Sequence, residues 1–337
     1  MASPQVLVVY NRPVLPKDHP DYASEFEIVE TSESIEGYVR AAGYDVRRFG
    51  YDRDPQDLLD ELAARPVDAV FNLFEGVADQ TETEIAHASL LEWLGVPFTG
   101  APASALATGR DKIRTKLMLR GAGLPTAGFE VIEALPAPVW PHPWPAIVKP
   151  AYQDGSVGID QGAVVESQAA FAARVQWVFD RFGGPVLAER FLYGREFHVN
   201  LFEPPGTSEI RIIPPAEICF RPEPGESFWP IYSYAAKWDE ESPEYKAAPI
   251  ETGLELPEPL KSRVAEVCTG AYRLVGLRDY GRVDVRVTAD GTPHVIEVNP
   301  NPYLDSIVIV DGLKVMNQTY GDFIGGLVAS ALGRKRS

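Results

Sequence analysis

"YGRVDVRVTADGTPHVIEVNPNPYLD", Tyr280 to Asp305, decides the reading of the chain. Two alternating runs flank Asp290-Gly291. Asp-Gly between such runs predicts a β-hairpin closed by a two-residue type I′ turn, which needs positive φ at both central positions. That turn sets Ala289 opposite Thr292 and Thr288 opposite Pro293. Further back, Asp284 faces Glu297 and Arg282 faces Asn299. Opposed side chains sit ~5 Å apart at Cβ, and like charges placed so destabilise a sheet. A divalent cation would compensate. Asp284, Glu297 and Asn299 offer oxygen ligands of the kind hard Mg²⁺ takes; a solvated polar strand end would carry the same residues.

Working outward, the 337 residues suffice for two or three domains. Thirty-one basic against 48 acidic residues give a net charge of −17, which argues against non-specific binding to nucleic acid or anionic membrane. Cys219 and Cys268 form no metal-like spacing and no disulfide framework; both are expected to be inert thiols. The first apolar run, "VLVVY", is too short for a signal peptide and no stretch reaches membrane-spanning length. The expectation is a cytoplasmic protein with a solvated "GRKRS" tail.

Strands alternate with helices over the first hundred residues, predicting an α/β fold with a mainly parallel sheet. "QVLVVYN" predicts a buried strand, "ESIEGYVRAAGYDV" a helix ending near Gly43, and "TETEIAHASLLEWLG" a helix with a Thr81/Glu84 capping box, closed by Gly95. "TGRDKIRTKLMLRGAG" predicts one helix capped from Thr108 and Asp111. "LPAPVWPHPWP" predicts a surface connection.

Two further stretches carry chemistry. In "IVKPAYQDGSVGI", a strand delivers Lys149 and a loop follows, Gly155-Ser156-Val157-Gly158. Glycines let backbone N–H groups approach an anion, and a nearby lysine suits a polyphosphate. Ordinary turn chemistry would also produce such a loop. In "VLAERFLYGREFHVNLF", Glu189 and Glu196 flank Phe191-Leu192. Two acids so spaced could bracket a nucleoside, one at an exocyclic amine and one at ribose hydroxyls; a polar sheet edge is the alternative.

Taken in order, "LLEWLGVPFTGAPASALATGRDKIRTKLMLRGAGLPT", "IVKP…GSVGI", "YSYAAKW" and "YGRVDVRV…HVIEVNPNP" resemble the ATP-grasp superfamily, most closely its D-alanine–D-alanine ligase-like members. The resemblance spans nearly the whole chain. It implies three parts, residues 1–103, 104–187 and 188–337, with nucleotide held between the central and C-terminal α+β domains. It implies ATP and Mg²⁺ or Mn²⁺ as cofactors. By the resemblance, Lys112 and Lys149 contact ATP, Gly155, Ser156, Val157 and Gly158 cover its phosphates, and Glu189, Phe191, Leu192 and Glu196 hold the nucleoside. Lys237 would meet the γ-phosphate, Arg282 the oxyanion at the reacting carbonyl, and Asp284, Glu297 and Asn299 the metal. The implied activity joins a small-molecule carboxylate to an amine, amino acid or peptide, through an acyl phosphate. "FRPEPGESFWPIYSYAAKWDEE" would serve as the lid. No nucleic acid or membrane partner is expected, and a homodimer is the assembly to test.

The departures from that family bear on the substrate. Gly155 stands where these ligases usually have a serine, Trp238 where they have a tyrosine, and "PNPYLD" where they have small residues receiving the second D-alanine. "VFNLFEG" replaces a histidine-glycine pattern. Glu27, Glu30 and Glu33 are candidates for the glutamate that positions substrate, and Tyr303 and Asp305 would border the acceptor. These changes predict another substrate pair. A true D-alanine–D-alanine ligase, a kinase needing no amine, and a non-catalytic nucleotide-binding module remain as alternatives.

Overall fold

The computed structural model describes residues 3–18, 22–77, 80–153, 155–304 and 306–334. Strands Asp45–Tyr51, Gln5–Asn11 and Ala69–Leu73 form a parallel sheet with Gln5–Asn11 in the middle. Val6 to Val9 are wholly buried, as a parallel strand covered on both faces requires. On one face, Val6, Val8 and Phe71 meet Ile28, Ile35 and Val39 of the helix Tyr22–Ala41 and Ile324, Leu327 and Val328 of the helix Tyr320–Gly333. On the other, Leu7, Val9 and Val70 meet Leu58, Ala88 and Leu91.

Several sequence expectations are corrected here. The first helix starts at Tyr22, well before Glu33, because Ile28 extends the same apolar stripe. The predicted capping box is absent. The helix Thr83–Leu94 has Glu82 at its N-cap with no side-chain bond, because Arg110 takes both box residues, donating to Thr81 and pairing with Glu84. The stretch from Thr108 is two helices, Ala103–Arg110 and Lys112–Gly121. Asp111 separates them in an extended conformation and caps the second by accepting from the Arg114 N–H, while Thr108 bonds back to the Ser104 carbonyl. The proline-rich connection is anchored: Trp140 is buried among Val148, Phe171 and Val175. Nor is the whole tail solvated. Arg334 pairs with the buried Asp279 and donates to the Phe98 carbonyl at 2.7 Å.

The rest of the chain builds two sheets facing one cleft. One is antiparallel, with strands Phe129–Ile132, Val186–Arg190, Ala146–Pro150 and Val164–Val165 in that order, backed by the helix Gln168–Phe182. The other runs Ile250–Glu251, Ala216–Ile218, Arg195–Phe202, Tyr280–Val287, Pro293–Pro300, with Arg211–Ile212 beside Arg195–Phe202. The helix Leu260–Val275 covers its apolar face through Val264, Val267, Cys268 and Ala271. Both cysteines are buried, and burial raises both thiols. Cys219 sits close to Glu217 and Glu251, whose charges Arg195 and Arg221 already balance.

The hairpin carries an instructive correction. Its turn has three residues, Ala289, Asp290 and Gly291: Thr288 N–H bonds Thr292 O at 3.1 Å, and only Gly291 has positive φ. Val287, not Thr288, therefore faces Pro293. A β-bulge between Asp284 and Val285 then restores the register. Asp284 faces Glu297 and Arg282 faces Asn299, as the sequence predicts.

Candidate active site

The cleft between the two sheets holds about 960 Å³ of empty space with its open mouth included. Its charged wall follows from strand register. Ile147 pairs with Glu189 and Lys149 with Leu187, so Lys149 and Glu189 are diagonal neighbours on one face. They form an ion pair with both side chains almost fully buried. Lys116, one helical turn beyond Lys112, completes the group: its Nζ lies 2.5 Å from the other Glu189 oxygen and also donates to Thr126 Oγ1 and Val295 O. Burial alone would raise the Glu189 carboxyl; Lys116 and Lys149 outweigh it and hold it down at about 2. Burial lowers Lys116, with Glu189 opposing. Sequence reasoning missed Lys116, though its i, i+4 spacing from Lys112 is visible in "DKIRTK".

Glu297 is handled alike. Lys112 Nζ lies 2.6 Å from its Oε1 and donates to Gln153 O at 2.8 Å. Burial raises the Glu297 carboxyl, but Lys112, then Lys149 and Lys237, bring it to about 2. Asp284 is held from the other side. Arg282 grips it with Nε and Nη2 at 2.7 and 3.1 Å, and Asn299 Nδ2 donates to Oδ2 at 3.0 Å. Asn299 Oδ1 accepts no hydrogen bond among the described residues. Two carboxylates, each paired with a cation, and an amide oxygen are hard-oxygen donors of the kind Mg²⁺ takes. The donors therefore fit the metal.

Lys237 sits on the short helix Tyr234–Trp238, 5.5 Å from the Tyr232 ring. Burial, then Arg282, lowers its ammonium. The glycine loop is tied to this segment: Ser156 Oγ donates to Tyr232 O at 2.8 Å and Trp238 Nε1 donates to Gly155 O at 3.0 Å. Gly155 and Ser156 have positive φ and line the cleft. Val157 and Gly158 stand back from it, Gly158 lying against Pro150 and Phe182. His198, which the sequence did not single out, lies 3.9 Å from Asp284; burial lowers its imidazole to about 4, with Asp284 opposing.

Glu189, Phe191, Leu192 and Glu196 all line the cleft. Arg286 enters with them and pairs with Glu196. It too was missed, although it continues the alternation Arg282, Asp284, Arg286 along one face of the strand.

A smaller cleft opens between the first sheet and the turn after Pro300, lined by Thr31, Asn72, Glu75, Asn301 and Tyr303 among others. Tyr303 Oη donates to Glu27 at 2.9 Å and lies 2.9 Å from Thr31 Oγ1. Of the candidate glutamates, Glu27 thus reaches this place, whereas Glu33 pairs with Arg48. Asp305 lies outside the described residues. Among the described residues no helix is long and apolar enough to cross a membrane.

Comparison with known proteins agrees with this geometry. Residues 119–318 match the family described as D-ala D-ala ligase C-terminus. A D-alanine–D-alanine ligase of Actinobacillus pleuropneumoniae is 30% identical over 274 residues, 80% of each chain. One from Acinetobacter baumannii is 31% identical over 224 residues, 66% of each. The crystal structure of a D-alanine–D-alanine ligase from Bacillus anthracis complexed with ATP superimposes with a TM-score of 0.73 at 18% identity, covering 99% of both chains. The fold is thus ATP-grasp, the chain is an ATP-dependent ligase, and it belongs to the D-alanine–D-alanine ligase family.

Proposed function

We propose that this ligase joins a carboxylate to an amine through an acyl phosphate, and that its preferred pair is not two D-alanines. The observation that carries the substrate claim is the turn after the catalytic strands. Pro300 has no N–H and packs on Gly109. Asn301 adopts a left-handed conformation and spends its Oδ1 on the Ala101 N–H at 2.7 Å. A turn built this way has few backbone donors left for a second substrate carboxylate. Trp238 supports the same reading. Its indole can only donate, and it donates to the Gly155 carbonyl, so it relays no proton as a tyrosine hydroxyl could.

In the proposed reaction the first substrate's carboxylate oxygen attacks the γ-phosphorus of ATP and ADP leaves. Lys112, Lys149 and Lys237 surround the developing charge. Magnesium held by Asp284, Glu297 and Asn299 would supply further neutralisation of the phosphates. The amine nitrogen then attacks the acyl carbon, Arg282 stabilises the tetrahedral oxyanion, inorganic phosphate leaves and the nitrogen gives up its proton. Arg282 Nη1 makes no hydrogen bond among the described residues, so the Asp284 pair does not exhaust the guanidinium. The tethered loop and the segment carrying Lys237 would exclude water from the acyl phosphate.

The test supplies ATP and Mg²⁺ with D-alanine, then with a panel of amino acids, dipeptides and polyamines. Phosphate release and product mass are measured. The expected result is faster turnover with another pair. D-alanyl-D-alanine formed as fast as the best alternative would refute the substrate claim. ADP release that needs no amine would instead favour a kinase.

A further inference from the structure

Arg286 is a buried cation in the wall of the nucleotide cleft that no step above uses. The register of the sheet puts it directly opposite Glu196. Arg286 is 4% exposed and Glu196 7%. Nη2 pairs with Glu196 Oε2, and Nη1 donates to the Leu192 carbonyl at 3.1 Å. The guanidinium carbon lies 5.3 Å from the Phe191 ring centre and 5.6 Å from that of Phe220. One planar group therefore spans the two residues expected to meet ribose and base.

What it leaves free is as informative as what it holds. Glu196 Oε1 has no partner among the described residues, and neither has the Leu192 N–H. A free carboxylate oxygen suits ribose hydroxyl donors, and a free N–H suits a ring nitrogen of the base. The arrangement also has a cost, because Arg286 Nε is buried without a partner. A staple serving stability alone could be replaced by apolar packing without that cost.

We propose that Arg286 is a positioning residue for the nucleoside. By fixing Glu196 Oε2 and the Leu192 carbonyl, it presents Glu196 Oε1 and the Leu192 N–H to ribose and base. The inference rests on the reading of Glu196 and Leu192 given above.

The experiment measures KM and kcat for ATP, 2′-deoxy-ATP and 3′-deoxy-ATP with the intact chain, R286M, R286K and Glu196→Ala, alongside thermal melts. The native chain should prefer ATP over the deoxy analogues by roughly tenfold or more, the size of a hydrogen bond to a charged group. R286M should lose most of that preference, through KM far more than kcat. R286K keeps the charge but cannot reach both partners, so it should keep part of it. A stability role alone would weaken all three nucleotides equally and leave the ratio untouched. An unchanged ratio in R286M, with the preference abolished in Glu196→Ala, overturns the inference and leaves the reading of Glu196 standing. A native chain without preference, or a Glu196→Ala variant that retains it, overturns that reading instead. Should R286M fail to fold, R286K decides, and an undiminished ratio there is the overturning result.

Discussion

The two clefts of the molecule are built on opposite electrostatic plans. In the large one, Lys112, Lys116, Lys149, Lys237, Arg282 and Arg286 surround Glu189, Glu196, Asp284 and Glu297, and most of these charges are buried in matched pairs. In the small one, Glu27 is bound through Tyr303, Glu75 lines the wall, and Glu84, also in the wall, is paired with Arg110. The first plan suits a polyanion that exchanges partners with lysines already in place. The second suits a positively charged group. The two clefts share few side chains, so on the proposed reading one can change while the other keeps its charges.

The sharpest way to break this comparison is at the proposed metal ligands. Glu297→Gln should lower turnover about a thousandfold, in the range for removing a principal source of transition-state charge stabilisation, in a chain that still folds but melts lower because Lys112 loses its partner. Phosphate release under saturating ATP checks it. Near-native activity at low Mg²⁺ would remove Glu297 from the metal site.

A second test separates binding from structure at Glu189. Glu189→Gln leaves two buried lysines sharing no anion, so it should destabilise the protein by roughly 3–5 kcal/mol. Lys149→Met leaves a one-to-one pair and should cost clearly less. Denaturant melts of the two variants compare them. Equal losses would mean that the triad is not a coupled unit.

Acidification offers a third. His198 has its folded value lowered to about 4. A depressed histidine contributes stability that is complete above its unfolded value near 6.5 and disappears as pH falls towards 4. The loss should be of order 3 kcal/mol for this group, with the buried His87, lowered to about 3, adding its own share over a similar window. Glu189 and Glu297, both near 2, contribute stability lost between about 4.5 and 2. Melts from pH 7 to 2 should therefore fall in two overlapping stages. His198→Gln should shrink the first stage and spare the second; an unaltered first stage refutes the assignment.

The smallest effect is expected at the loop tether. Trp238→Phe removes one hydrogen bond to Gly155, so KM for ATP should rise by about three- to tenfold. No change would show that the tether plays no part in holding the loop over the nucleotide.

How much of this could be read from the chain alone depends on distance along it. Asp284 and Glu297 were legible because a hairpin is local, and even there the result survived by compensation: the turn is one residue longer than expected, and the bulge at Asp284/Val285 takes up the difference. The parallel strands of the first sheet were legible from apolar runs alternating with helices. The Arg286–Glu196 pair was not, because it depends on which strand lies beside Tyr280–Val287, and no local pattern states that. The missing cap at Thr81 has the same origin. Arg110 arrives from another helix and outcompetes a local preference.

One feature of the fold governs how the chain can mature. The sheet face made by Val6, Val8 and Phe71 is covered by Ile324, Leu327 and Val328, and Arg334 fastens that helix to Asp279 and the Phe98 carbonyl. During synthesis the first strands emerge long before the helix Tyr320–Gly333 exists. For that interval the helix Tyr22–Ala41 covers the face only in part, and closing the rest takes long-range contact, the slow kind of step in folding. A nascent chain halted before Tyr320 should therefore bind chaperones and resist compaction, while a few further turns of helix release it.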